Sequence, residues 1–122
     1  MKILIVEDDK DLCEIEAEIL KLEGHSFDVA QDGETAIKKL SPDFDLILLD
    51  LMLPKVSGLE VLAVIRADPS LADQKVIIVT AIGREIDKEV LCDERTSILR
   101  KPFRPEELIS RIREAEDSDC RR

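Results

Sequence analysis

Short apolar runs punctuate this chain, and amphipathic segments fill the intervals between them. Ile3-Leu4-Ile5-Val6 is the first run. Its β-branched residues and lack of alternation predict a strand buried on both faces. Between Ser26 and Ala30, Phe27 and Val29 alternate with other residues, which predicts a second, less buried strand. Asp45 to Leu49 reads as a third strand and the most apolar one. Val76-Ile77-Ile78-Val79, ending at Thr80, predicts a fourth, and Ser97 to Leu99 a short fifth.

The intervals carry helical spacing. Leu12, Ile15, Ile19 and Leu22 fall on one face of a helix, with Asp9 as its N-cap and Gly24 closing its C-terminal end. After the Asp32-Gly33 turn, Ala36, Ile37 and Leu40 form the apolar side of a short helix ending near Ser41-Pro42. Ser57 caps a third helix, whose buried side is predicted to hold Leu59, Val61, Leu62 and Ile65, and Asp68-Pro69-Ser70 ends it. A weaker pattern over 84–93 turns Ile86, Val90 and Leu91 inward. The last helix starts near Pro105, with Glu106 and Glu107 favourable in its first turn and Leu108, Ile109 and Ile112 packing. The chain after Glu116 is expected to fray.

Strands alternating with helices give an α/β protein with a parallel sheet. Right-handed crossovers leave few layouts, and the flavodoxin-like order 2-1-3-4-5, with helices on both faces, suits five strands. One domain over residues 1–117, with 118–122 as a frayed tail, accounts for the pattern; no repeat or linker interrupts it.

Composition narrows the function. The chain has 122 residues, 44% hydrophobic and 38% charged, with no Trp or Tyr. The three phenylalanines offer no stacking platform for single strands or flavins. A net charge of −10 repels phosphate backbones, which argues against direct nucleic-acid binding. Cys13, Cys92 and Cys120 are odd in number and widely spaced, as expected of free thiols in a reducing cytoplasm. No apolar run is long enough to span a bilayer.

Polar residues recur where the predicted strands end. Glu7 and Asp8 follow the first strand, Asp50 the third, Thr80 closes the fourth, and Lys101 follows the fifth. A parallel sheet gathers these carboxyl ends along one edge, where ligands bind at the switch between the first and third strands. Neighbouring carboxylates repel, so the cluster would hold protons or a cation. All-oxygen donors point to a hard ion, most plausibly Mg²⁺, with a phosphoryl oxygen and waters completing its shell. Lys101 and Thr80 supply a positive charge and a donor, the parts phosphoryl transfer needs, and Asp50 is the natural nucleophile.

The stretches Ile3-Leu4-Ile5-Val6-Glu7-Asp8-Asp9, Asp45 through Pro54, Val79-Thr80-Ala81 and Lys101-Pro102-Phe103 resemble, in order and spacing, the receiver domain of two-component response regulators. The resemblance covers essentially the whole chain. It implies a phosphorelay signalling domain that catalyses only its own phosphorylation and slow autodephosphorylation. Asp50 would accept a phosphoryl group from a histidine kinase or a histidine phosphotransfer protein. Asp8, Asp50 and the backbone carbonyl of Met52 would bind Mg²⁺, with Glu7 acting through a water. Thr80 and Lys101 would take the phosphoryl oxygens. Thr80 would then report to the face built from the 84–93 helix, the last strand and the last helix. A downstream protein target or output domain is implied, and a phosphorylation-dependent homodimer is left open. The resemblance also implies a cis bond before Pro102.

Three departures stand out. Ile98 occupies the position where the family often has a switch aromatic. The stretch Cys92 to Thr96 lacks the common Gly-Ala pair. No output domain follows within the sequence.

Other readings meet specific obstacles. A haloacid-dehalogenase-type phosphatase needs a second Asp two residues after its nucleophile, where this chain has Met52. A flavodoxin-like redox module needs a phosphate loop after the first strand, where this chain has acids. A phosphorylation-independent interaction module on the same fold would share the site but take up no phosphoryl group. Asp9 reads as a cap rather than a ligand, and His25 as a solvated, non-catalytic residue. Met52 and Ile82 are expected to flank the site with apolar side chains and slow hydrolysis.

Overall fold

The computed structural model describes residues 1–51, 53, 56–81 and 95–120. The expected 84–93 helix, Ile82 and the Met52 carbonyl lie outside the described residues. The elements are β1 (Lys2–Val6), α1 (Lys10–Leu22), β2 (Ser26–Ala30), α2 (Gly33–Lys39), β3 (Leu46–Asp50), α3 (Gly58–Ala67), β4 (Lys75–Ala81), β5 (Thr96–Lys101) and α4 (Pro105–Cys120). The strands form one parallel sheet in the order β2-β1-β3-β4-β5.

Strand alternation sorts the core into two layers. Leu4, Val6, Ile47, Leu49, Val76 and Ile78 face Ala36 of α2 and Val61, Leu62 and Ile65 of α3. Ile3, Ile5, Leu46, Leu48, Ile77, Val79 and Leu99 face Cys13, Ile19 and Leu20 of α1 and Leu108 and Ile112 of α4. Each such side chain contributes roughly 1.5–3 kcal/mol by leaving water. The continuous apolar runs are therefore strands covered on both sides, as their composition predicts.

Helix ends follow their local chemistry. Asp9 accepts from the N–H groups of Asp11 and Leu12, Asp32 from Thr35, and Ser57 from Glu60. These bonds satisfy first-turn donors that have no partner inside the helix. Beyond α1, Gly24 takes φ +83°, a conformation natural only to glycine, and its N–H donates to the Lys21 carbonyl.

Several expectations need correction. On α1 the buried arc is Cys13, Glu16, Ile19 and Leu20, while Ile15 and Leu22 are 51% and 77% exposed. The arc runs through a charged residue, so hydrophobicity alone places it on the wrong side. Leu59 of α3 is also exposed, because the close approach of Gly58 to β3 turns Val61, Leu62 and Ile65 inward instead. β3 starts one residue later than expected and includes Asp50, which pairs with Val79 of β4. Asp45 instead fixes the strand's approach: its N–H donates to the Lys2 carbonyl and its carboxylate accepts from the Lys2 N–H, both at 2.8 Å. β5 runs from Thr96 to Lys101, so Lys101 is a strand residue opposite Ala81. The α4 backbone is helical to Cys120, past the expected fraying point at Glu116. His25 is not solvated. Its side chain is 6% exposed, with Nε2 3.1 Å from Glu116 Oε1 and Nδ1 2.9 Å from the N-terminal amine.

Candidate functional site

Beyond Ile5, Leu48 and Leu99, the next positions on the same face of the sheet are Glu7, Asp50 and Lys101. Three core rows thus end in polar residues at the carboxyl edge, above the gap where β1 and β3 part toward opposite sides of the sheet. Asp50 is 2% exposed and Glu7 1%. Lys101 Nζ stands 3.2 Å from Asp50 Oδ2 and 3.2 Å from Glu7 Oε1, bridging strands 51 and 94 positions apart. Desolvation makes such buried acids costly unless a cation meets them, and Lys101 is that cation. The peptide between Lys101 and Pro102 is cis, as the resemblance implies.

Asp8 is exposed at the mouth of the cleft. One carboxylate oxygen from each of Glu7, Asp8 and Asp50 can be chosen so that all lie within 4.8 Å of one another. Asp9 stays outside the group and caps α1, as expected; its N–H donates to Glu7 Oε2 at 3.3 Å. Thr80 lies at the same edge, one residue before the end of β4, but continues the Val76–Ile78 row, which faces the opposite layer. Its hydroxyl is fully buried and makes no hydrogen bond.

Protonation follows from this crowding. Burial, a hydrogen bond with Asp50 and the charge of Asp50 push the Glu7 pKa up to about 8, against the pull of Lys101. At neutral pH Glu7 therefore keeps its proton and shares it with Asp50. Burial works against the Lys101 ammonium, but Glu7 and Asp50 outweigh it and hold the Lys101 pKa above the usual lysine value. Lys101 stays charged throughout the physiological range.

The donor set fits a hard divalent ion. It is all oxygen, two of its carboxylates are buried, and Asp8 lies open to water at the mouth. Thr80 adds a buried hydroxyl in need of a partner.

Comparison with known proteins decides the family. A sequence profile described as the response regulator receiver domain matches residues 3–113. The chain belongs to the response regulator receiver family. It is 40% identical over 116 residues to the transcriptional regulatory protein CpxR of Escherichia coli K12, covering 92% of this chain and 47% of that protein. It is 41% identical over 114 residues to the response regulator ArlR of Staphylococcus saprophyticus, covering 92% and 50%. This receiver domain thus spans about half the length of the curated relatives it matches. Among solved structures, it is similar to the receiver domain of sensor histidine kinase PA1611 from Pseudomonas aeruginosa. The TM-score is 0.77 and the identity 28%, over 91% of this chain and 92% of that one. That structure holds a magnesium ion in its active-site cleft. The signal receiver domain of a LuxO repressor protein from Vibrio parahaemolyticus matches with a TM-score of 0.79 and 28% identity, over 98% and 95%.

Two features escape the sequence reading. Glu16 is buried in the layer beneath the site, and its spacing from Cys13 and Ile19 is the signal that could have revealed it. An apolar groove also borders Lys101, lined by Leu12, Ile15, Pro102, Phe103 and Pro105, with Asp9 and Asp11 at its rim. The exposure of Ile15 makes sense as part of that groove. Among the described residues, no helix is long and apolar enough to cross a membrane.

Proposed function

We propose that Asp50 is the phosphoacceptor of this receiver domain, within a domain spanning residues 1–117. The observation that carries the reading is the buried Asp50 carboxylate held 3.2 Å from Lys101, with Glu7 and Asp8 beside it. A carboxylate oxygen of Asp50 attacks phosphorus on the phosphohistidine of a sensor kinase or phosphotransfer protein. The P–N bond breaks, and its electron pair returns to the imidazole, which takes up a proton. Asp8, Asp50 and the Met52 carbonyl would hold Mg²⁺, with Glu7 acting through a water. When bound, the ion neutralises charge on the transferring group.

Lys101 then has a second task. It is already charged and aimed at Asp50, so it can pair with a phosphoryl oxygen without first being desolvated. Thr80 can satisfy its hydroxyl on the same group by turning toward the edge. Such a turn would free space behind β4, into which Ile98 of the neighbouring strand can repack; Ile98 is partly buried and pairs with Ile78. That movement is the route by which the modified site would change binding to an output domain or protein target. The groove beside Lys101 suits the apolar side of the phosphodonor protein. On this reading the domain is a cytoplasmic signalling switch and turns over no substrate beyond its own phosphoryl group.

Acetyl phosphate with Mg²⁺ tests the reading. Intact-mass measurement should show about 80 Da gained by the wild type and none by Asp50→Asn, as one acceptor carboxylate requires. Equal uptake by the variant would overturn it.

A further inference from the structure

The chain between β3 and α3 leaves directly from Asp50, and the fold grips it from two directions. One grip is local. The Gly58 N–H donates to the Leu51 carbonyl at 3.2 Å, tying the two ends of the connection together, and the Leu51 N–H donates to the Val79 carbonyl of β4 at 3.4 Å. The other grip comes from a helix that is remote in sequence. Val56 meets Gly33, the first residue of α2.

That contact is close. A Cβ on Gly33 would stand 2.2 Å from the Val56 carbonyl oxygen, 2.9 Å from its carbonyl carbon and 2.8 Å from its Cβ. No side chain tolerates contacts this short, and two of the three atoms are backbone, which cannot swing aside. The positive φ that calls for glycine belongs to Gly24 and not to Gly33. Glycine at position 33 therefore serves the approach itself. Gly33 is buried, and Val56 is half-buried against the core layer of α2 and α3.

Both sides of the contact are fixed. The Glu7 N–H donates to the Ala30 carbonyl at 3.0 Å, so the chain entering α2 sets out from the carboxyl edge beside Glu7. Asp32 then caps the helix, its carboxylate accepting from the Thr35 N–H at 2.7 Å and its carbonyl from the Ala36 N–H at 3.0 Å. On the other side, Val56 is followed by Ser57, which caps α3, and by Gly58. Gly58 lies against the Asp50 carbonyl oxygen and Leu51 Cα so closely that a Cβ would stand 2.3 and 2.6 Å from them. A displacement of Val56 thus reaches the Asp50 backbone across two residues, through close-packed contacts that transmit strain.

We propose that Gly33 is a positioning residue for the phosphoacceptor: its bare Cα seats the Val56 carbonyl against the start of α2, and that contact fixes the chain from which the Asp50 carboxylate is aimed. The inference rests on the reading of Asp50 as acceptor. A reacting group misplaced by about 1 Å can lose up to about a hundredfold in rate. A methyl wedged at this seat should therefore slow phosphoryl uptake without abolishing it.

The test compares wild type with Gly33→Ala, Val56→Gly and Gly24→Ala, each at a temperature where it is fully folded. Gly24→Ala is the control: its φ of +83° strains any side chain, but nothing lies within 4 Å, so it lowers the thermal midpoint without touching the seat. Uptake from acetyl phosphate at saturating Mg²⁺, followed by intact mass, should slow by about 3- to 30-fold in Gly33→Ala and stay at the wild-type rate in Gly24→Ala. Val56→Gly removes the seated side chain and adds no clash, so it keeps the test open should Gly33→Ala fail to fold. It should slow uptake by at least about threefold. In the metal-free proteins, the amide resonances of Leu51 and Gly58 should move in both seat variants and stay in place in Gly24→Ala. A wild-type rate in either folded seat variant, a slowing shared by Gly24→Ala, or amide shifts confined to α2 would overturn the proposal. Absence of uptake by wild type would instead sink the Asp50 reading, and the proposal with it.

Discussion

Lys101 Nζ lies 3.2 Å from Asp50 Oδ2, at the end of two strands that are not neighbours in the sheet. β4 stands between them, so the ammonium reaches across one strand to meet the carboxylate. The same ammonium also meets Glu7. It holds the two buried acids together, and on the proposed reading replacing it should be felt twice.

Lys101→Met removes the only cation shown pairing with two buried carboxylates among the described residues. Urea unfolding should show a loss of roughly 1–3 kcal/mol, below the value for a fully buried pair because the lysine is partly exposed. Phosphoryl uptake should fall by at least about tenfold, as loss of one charged donor in a transition state implies. A variant as stable and as fast as wild type would contradict both roles.

Stability should fall as pH rises from about 5 to 8. Glu7 and Glu16 both have folded-state pKa values pushed up to about 8, above the ordinary glutamate value of 4.5 that the unfolded chain retains. The folded protein therefore binds more protons in this window. Its stability is complete below the unfolded value and declines as pH climbs toward the folded one. Each group can contribute a slope of up to roughly 1.4 kcal/mol per pH unit. Urea midpoints at several pH values measure this, and a flat profile would refute it.

Mg²⁺ binding should tighten over the same range. The ion must displace the proton that Glu7 shares with Asp50, so each binding event releases a proton until pH passes about 8. Calorimetry in buffers of different ionisation enthalpy counts that proton. Glu7→Gln should abolish the release; undiminished release by that variant would assign the proton elsewhere.

Gly58 is held by contact rather than by conformation. A Cβ there would stand 2.3 Å from the Asp50 carbonyl oxygen and 2.6 Å from Leu51 Cα, both backbone atoms that cannot yield cheaply. Gly58→Ala should push α3 off the end of β3, cost roughly 2–4 kcal/mol and loosen Asp50. Thermal unfolding and phosphoryl uptake, measured together, report the two effects.

Much of this was legible in the chain. The three unbroken apolar runs of β1, β3 and β4 read as strands covered on both faces, and β2 and β5 were legible from weaker patterns. The order 2-1-3-4-5 came from the layout that suits five such strands. The acids after β1 and β3 and the lysine of β5 stood out because each interrupts or ends such a run. What stayed hidden depends on packing. A glutamate within a helix normally faces water, so Glu16 concealed the buried arc and made Ile15 and Leu22 look inward. The lone His25 read as solvated because its carboxylate partner, Glu116, comes from the far end of the chain. Strand ends shifted because Asp50 and Lys101 still satisfy their backbone groups in the ladder, which side-chain polarity does not reveal.

The central claim is that Asp50 alone receives the phosphoryl group. Borohydride reduces an acyl phosphate on aspartate to homoserine, and peptide mass spectrometry then locates the converted residue. After treatment with acetyl phosphate and Mg²⁺, homoserine should appear at position 50 and at no other acid. Conversion at Asp8 or Asp9, or none at position 50 in protein that has gained the phosphoryl mass, would contradict the account.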